Sequence, residues 1–172
     1  NKIILDLCGG TGSWSKPYKD AGYDVRLITL PEFDIRRFYA TGGVATKCEW
    51  HNHNDALCFP YTGYEVSERG KEKVMVIDKD KVYGILAAPP CTMFSFARTN
   101  AKKPRDLREG MRLVEACLKI IWTIQYQAIS NNAKYTRLKF WVLENPYFGL
   151  LKNFIGKPAL VFDPWEYGDN YQ

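Results

Sequence analysis

Residues 2–28, KIILDLCGGTGSWSKPYKDAGYDVRLI, limit the fold more than any other part of the chain. The apolar run KIILDL leads straight into a turn holding Gly9, Gly10 and Gly12. SWSKPYKDAG then reads as a short helix closed by Gly22, and YDVRLITL as a second buried-type strand. Strand, glycine-rich turn, helix and strand in that order make a βαβ unit, which places both strands parallel in one sheet. Glycine lets the backbone bend sharply and lets a ligand approach closely. The spacing is not the full G-x-G-x-x-G, and no acidic residue ends the second strand cleanly, so a dinucleotide site is poorly supported. A tight turn without a ligand is the bland alternative.

The rest of the chain extends this pattern. PEFDIRRF reads as a short extended piece. Residues from about Thr41 to Asp80 break the rhythm, being polar and rich in aromatic residues and glycine. They read as an insertion on the core, with GYEVSERGKEKVMVI as a hairpin turning at ERGKE. VYGILAA is the next central strand, and PPCTMFSFARTNAKKPR an irregular loop. DLREGMRLVEACLKIIWTIQYQAI places Leu107, Met111, Val114, Leu118, Ile121 and Ile124 near helical spacing, with Asp106 as N-cap. LKFWVLENP is a short apolar strand, read as buried on both faces and ended by Pro146; PALVFDPWEYG supplies a late strand. The expected fold class is α/β: a Rossmann-like, mostly parallel twisted sheet with helices on both faces, in a single domain spanning residues 1–172.

Composition narrows the setting. Hydrophobic residues make up 46% and charged residues 25%, ordinary for a water-soluble domain that buries a core. No stretch is apolar enough to span a bilayer, and the first residues already read as a strand instead of a signal peptide. The net charge of +5 permits an anionic partner without requiring one. The five cysteines (8, 48, 58, 91 and 117) are odd in number and irregular in spacing, which argues against a disulfide framework and for a reducing, intracellular setting.

Three predicted strand ends carry unusual residues: DLCGGTGS, AAPPC and LENP. Ligands of parallel α/β sheets bind at the carboxyl ends of strands. Cys91 follows Pro89 and Pro90, which end one strand and stiffen the turn, in a loop made polar by Thr92, Ser95, Arg98 and Asn100. Free cysteine is more often simply buried. Glu144 directly follows the FWVL strand. A strand-end carboxylate is often just solvated; a partly desolvated one keeps its proton to higher pH and can serve as an acid. A thiol nucleophile with a proton-donating carboxyl suits attack on an electron-poor ring. Arg98, Lys102, Lys103, Arg105 and Arg108 beside the cysteine suit phosphate contacts, or form a solvated loop.

These residues resemble the motifs of the DNA cytosine-5 methyltransferases, especially compact phage- or mobile-element-type members. DLCGGTGSWS is similar to the family's S-adenosylmethionine turn, PPCTMFS to its Pro-Cys nucleophile motif, and LENP to its Glu-Asn-Val motif, in the family's order from Asp6 to about Pro146. The resemblance implies S-adenosylmethionine as cofactor and double-stranded DNA with a flipped-out cytosine as partner. It implies that Cys91 attacks C6 and that Glu144 protonates N3. Asp6, Cys8, Gly10, Thr11, Gly12, Ser13, Trp14, Asp34 and Pro89 would line the cofactor site. Pro90, Ser95, Arg98, Lys102, Lys103 and Asn145 would meet the DNA or support the Glu144 loop. A monomer in the cytoplasm, bacterial or phage-encoded, is the expected setting.

The chain also departs from the family's pattern. Cys8 replaces the usual phenylalanine, ITLPE the acidic residue after the second strand, and Pro146 the usual valine. Neither a Gln-x-Arg-x-Arg motif nor a target-recognition region is visible. RNA cytosine methylation and a non-catalytic cofactor- or nucleic-acid-binding remnant are the alternatives. CEWHNHNDALC carries Cys48, His51, His53 and Cys58, which at such short spacing could bind zinc; the spacing fits no standard zinc finger, so a histidine-bearing loop is the favoured reading and zinc the alternative.

Overall fold

The computed structural model describes residues 1–41, 56–62, 73–97, 101–130 and 138–163. Four strands form a parallel sheet: β1 (Ile3–Leu7), β2 (Asp24–Ile28), β6 (Val82–Ala87) and β7 (Phe140–Leu143), in the order β2-β1-β6-β7. A second, antiparallel sheet joins β3 (Tyr39–Ala40), β4 (Ala56–Pro60) and β5 (Val74–Asp78). The helices are α1 (Lys16–Asp20), α2 (Leu107–Ser130) and α3 (Lys152–Ile155). None of them is long and apolar enough to cross a membrane.

The sequence dictates which strand lies inside. All five residues of β1 are buried, Asp6 included, because β2 pairs with one of its edges and β6 with the other. Ile3, Leu5 and Leu7 join Val82, Ile85 and Ala87 of β6 in one core with Cys117, Ile120, Ile121 and Ile124 of α2. Leu57, Phe59 and Ile77 of the antiparallel sheet belong to the same core, so residues 56–60 and 74–78 share it with the parallel sheet. Each fully buried side chain of this size contributes about 1.5–3 kcal/mol. Asp106 caps α2 as its position predicts: its carboxylate accepts the Glu109 N–H at 2.9 Å.

An aromatic cluster fixes the amino end of the parallel sheet. Tyr18 of α1 stacks on Phe140 of β7 with ring centres 5.7 Å apart, Tyr83 of β6 meets the same ring edge-on at 6.3 Å, and Tyr23 before β2 packs on Tyr18 and Tyr83. Gly84 makes room for it, since a Cβ there would stand 2.3 Å from the Phe140 ring. The opposite, carboxyl end of the sheet is left to polar and irregular segments.

Three expectations change. PEFDIRRF is not extended throughout: Ile35–Arg37 forms a 3₁₀ turn because Asp34 caps it, accepting the Arg36 N–H at 3.0 Å. VMVI pairs with ALCFP of β4, and the rest of the expected hairpin, GYEVSERGKE with its turn, lies outside the described residues. PALVFD is not a strand, and Leu160, Val161 and Phe162 are exposed. Nor is FWVL buried on both faces: β7 pairs only with β6 among the described strands, and Trp141 and Val142 are each 42% exposed.

Gly84→Ala is expected to lower stability to chemical denaturation by about 1–3 kcal/mol through overpacking against Phe140. Adding Phe140→Leu should recover part of that loss if the ring is the cause. Additive losses in the double variant would instead place the strain in the backbone.

Candidate active site

The parallel register brings the three unusual strand ends together. Leu7 pairs with Ile28 and with Ala87, and Ala87 pairs with Leu143, so the segments after β1, β6 and β7 leave the sheet side by side. Three backbone hydrogen bonds bind them: Cys8 N–H to Ile28 O at 2.9 Å, Ala88 N–H to Leu7 O at 2.9 Å, and Glu144 N–H to Ala87 O at 2.8 Å. β2 lies on one side of β1 and β6 and β7 on the other, so the strand order changes direction at β1, the point where parallel sheets open a crevice.

The glycine turn is built on left-handed backbone. Cys8, Gly10 and Gly12 have φ of 62°, 57° and 76°, which glycine adopts freely and cysteine rarely does. Gly9 is required for a different reason: a Cβ there would lie 1.9 Å from Asp6 Oδ1. The Asp6 carboxylate is thus folded beneath the turn, fully buried, and neither oxygen has a hydrogen-bond partner. Burial raises its pKa; the nearby Ser15 hydroxyl offsets part of this, although it donates to Gly12 O at 3.1 Å. Such a buried acceptor without a donor is costly and stands ready for a cationic or donor group. Gly10, Thr11 and Ser13 are exposed above it, the two hydroxyls 2.7 Å apart, and Trp14 is half-buried.

Cys91 opens a 3₁₀ turn, Cys91–Met93, immediately after buried Pro89 and exposed Pro90. It is partly exposed, and its carbonyl accepts the N–H groups of Phe94 and Ser95, each at 2.8 Å. Phe94 anchors the turn from below, buried against Val114 and Leu151. Gly110 of α2 permits this close packing, because a Cβ there would stand 2.8 Å from Met93 Cβ and 2.9 Å from the Phe94 ring. Arg105 holds the turn from the other side, donating to Met93 O at 2.7 Å and Ser95 O at 3.1 Å.

The Glu144 segment is tied to this turn directly. Asn145 Nδ2 donates to Pro89 O at 3.0 Å, Ser95 bridges Gly149, and Leu150 N–H reaches Phe94 O at 2.9 Å. Asn145 Oδ1 is buried and has no partner. Burial alone raises the pKa of Glu144, which is half-buried although its strand lies at the sheet edge; the desolvation is local to the strand end.

Asp34 lies close enough to the turn for its charge to act on the Cys8 thiol, but its carboxylate is engaged. Arg36 donates to both its oxygens and also pairs with Glu109 at the start of α2. This pairing, chiefly the Arg36 hydrogen bond, holds the Asp34 carboxyl below its usual pKa. Lys102 and Lys103 are exposed on the loop leading to α2, and Ser95 Oγ accepts the Ala97 N–H at 3.1 Å. Arg98, Cys48, His51 and His53 lie outside the described residues; Cys58 is buried inside β4. Among the described residues, no group of three metal-ligating side chains comes together.

Two arginines have roles that sequence reasoning did not assign. Arg105 belongs to the basic cluster read as phosphate-binding, yet its guanidinium is spent on two carbonyls of the Cys91 turn. Arg36 links the segment after β2 to α2. Neither had a signal beyond its charge.

Arg105→Ala should loosen the Cys91 turn, raising amide hydrogen exchange at Phe94–Phe96 and the alkylation rate of Cys91 several-fold, at a stability cost of no more than about 1–2 kcal/mol. Lysine should not restore the parent behaviour, since it lacks the planar fork that serves two carbonyls; full rescue by lysine would contradict the clamp. Glu144 gives a pH signature. The unfolded chain loses this proton near pH 4.5 and the folded chain later, so its contribution is fully present below that pH and is lost as pH rises through the raised value. Glu144→Gln should therefore gain melting temperature relative to the parent as pH rises across this window. A difference independent of pH would mean that the carboxyl is not desolvated.

Neither family models nor curated proteins nor solved structures match this chain.

Proposed function

We propose that this chain is the catalytic part of an S-adenosylmethionine-dependent methyltransferase acting on C5 of cytosine in DNA. The observation that carries the proposal is the Asn145–Pro89 hydrogen bond, which ties the Glu144 segment to the Cys91 turn next to the glycine turn. A nucleophile, a carboxyl with a raised pKa and a ligand-accepting turn then share one edge of the sheet.

The residues present fit the cofactor. Asp6 supplies a buried, unpartnered carboxylate beneath a turn whose glycines leave the backbone open to close approach. A cationic ligand there would offset the burial that raises its pKa. Gly10, Thr11, Gly12, Ser13 and Trp14 would hold the ligand mainly by backbone, with Asp34 and Pro89 at its borders. When bound, S-adenosylmethionine supplies an electrophilic methyl group.

The chain's own residues would handle the pyrimidine ring. Cys91, as thiolate, adds to C6 of the flipped-out base. Glu144, still protonated where an ordinary carboxyl would not be, hydrogen-bonds N3 and delivers its proton as the ring gains electron density. C5 thereby becomes nucleophilic. After C5 is methylated, loss of its proton expels Cys91 and restores the aromatic ring. Arg105 and Asn145 position the two reacting groups without touching the base. Exposed Lys102 and Lys103 would meet phosphates.

The test is covalent trapping of the full chain with S-adenosylmethionine and a duplex bearing 5-fluorocytosine, whose C5 substituent cannot leave as a proton. A denaturant-stable adduct is expected, absent in Cys91→Ser and reduced about 10²–10⁴-fold in rate in Glu144→Gln. Methyl transfer retained by Cys91→Ser would overturn the nucleophile. An adduct with RNA alone would move the substrate, and cofactor binding without any adduct would leave a non-catalytic binding protein.

A further inference from the structure

The Cys91 loop and the segment after Glu144 carry aromatic rings that neither the core nor the proposed chemistry uses. Gly149 N–H reaches back to Tyr147 O at 3.0 Å, a three-residue turn with Phe148 at its tip. Phe148 is 76% exposed, more than any other large hydrophobic side chain among the described residues. Gly149 also bridges Ser95 in the antiparallel sense, so Phe96, 59% exposed, flanks the bridge at the same end as Phe148. Tyr147 meets the Phe148 ring edge-on, with ring centres 5.2 Å apart.

The backbone that presents these rings is anchored. Leu150 N–H binds Phe94 O at 2.9 Å, and Leu151 and Phe94 are buried together with Val114. A Cβ on Gly149 would stand 3.1 Å from Pro146 O and 3.2 Å from Phe94 O, so the turn packs close against the Cys91 loop. Apolar rings held outward on a fixed backbone mark a binding surface. The charges beside them have one sign. Residues 91–105 and 145–162 carry Arg98, Lys102, Lys103, Arg105, Lys152 and Lys157, and no Asp or Glu. Lys102, Lys152 and Lys157 are exposed, and Lys152 Nζ lies 4.4 Å from the centre of the Tyr147 ring. A ligand that matches both features has flat apolar faces and closely spaced negative charge, which is the chemistry of unpaired nucleotides. A second copy of this chain would cover the rings but bring like charge against the lysines.

We propose that Phe96 and Phe148 form a stacking platform for single-stranded nucleic acid, with Lys102 and Lys152 meeting its phosphates. Stacking of bases on aromatic rings tolerates any sequence, since every base presents a flat face, while phosphate contacts position the strand. The platform rests on the methyltransferase reading only for its purpose. Phe96 belongs to the loop that presents Cys91, so the platform would hold the unpaired neighbours of the cytosine that Cys91 attacks. A base that is already unpaired costs less to present than one drawn from a duplex. Strands that are single or locally opened are therefore the preferred substrate class.

The experiment measures fluorescence anisotropy of the full chain with a labelled oligothymidylate of about 12 nucleotides, a length that spans one such site. This probe has no cytosine and needs no S-adenosylmethionine. It should bind about tenfold or more tightly than an abasic strand of the same length and charge, and than its duplex with oligoadenylate. Phe96→Ala and Phe148→Ala should each weaken binding about 5- to 100-fold at unchanged melting temperature, while Phe148→Trp retains it. Lys152→Gln should lower the slope of log Kd against log salt by about 0.7. Equal affinity for the abasic strand, or tighter binding of the duplex, would overturn the platform. So would self-association of the parent chain that Phe148→Ala abolishes while oligothymidylate binding persists. Alanine variants that bind the probe normally, in a chain that still forms the Cys91 adduct, would remove the platform alone; the expected binding pattern without any adduct would remove the enzymatic reading alone.

Discussion

The burial of β1 between two parallel neighbours is the constraint on which the site depends. A strand paired on both edges cannot shift register without breaking two ladders, so the residue after Leu7 is fixed in space. From there the glycine turn, the Pro-Pro-Cys segment and the Glu-Asn segment fall into place, because β6 and β7 run parallel to β1 in matched register. The aromatic cluster at the amino end contributes to the same result by a different means. Tyr18, Tyr23, Tyr83 and Phe140 connect α1 and the flanks of β2, β6 and β7 through ring contacts at the end of the sheet opposite the site.

The carboxyl end is where the chain accepts unfavourable polar burial. The Asp6 carboxylate and Asn145 Oδ1 are buried without partners, and Glu144 is half-desolvated. Burying an unpaired acceptor costs about 1–3 kcal/mol, and a carboxylate more if it stays charged. Elsewhere, Thr41 exchanges hydrogen bonds with Ala56 and Lys79 donates to Thr41 O, while Thr62 Oγ1 after β4 is a further buried atom without a partner. Uncompensated polar groups gathered at one end of a well-packed sheet, as Asp6 and Asn145 are, fit a binding or catalytic site, where local stability is given up for chemistry.

The sequence made the parallel core legible because its signals are local. An apolar run followed by Gly9, Gly10 and Gly12, or by Pro89 and Pro90, marks a strand end within a few residues, and Asp106 followed by helical periodicity marks the start of α2. What it could not convey depended on partners distant in the chain. FWVL looks buried on both faces because apolar content does not say whether a strand has one neighbour or two. The 3₁₀ turn after Asp34 depends on a side-chain cap that competes with an extended path.

Arg105 shows the same limit for electrostatics. In sequence it is one of several like charges beside a nucleophile, and each could equally meet a phosphate. In the fold, the length of the loop between Ser95 and α2 returns Arg105 to the Met93 and Ser95 carbonyls, where it replaces the N–H partners that an irregular turn lacks. Two of its N–H groups go to these carbonyls, so Arg105 shapes the turn that presents Cys91 while its charge still adds to the positive field at this edge. Charge counted along a sequence does not show which cation is also holding backbone carbonyls in place.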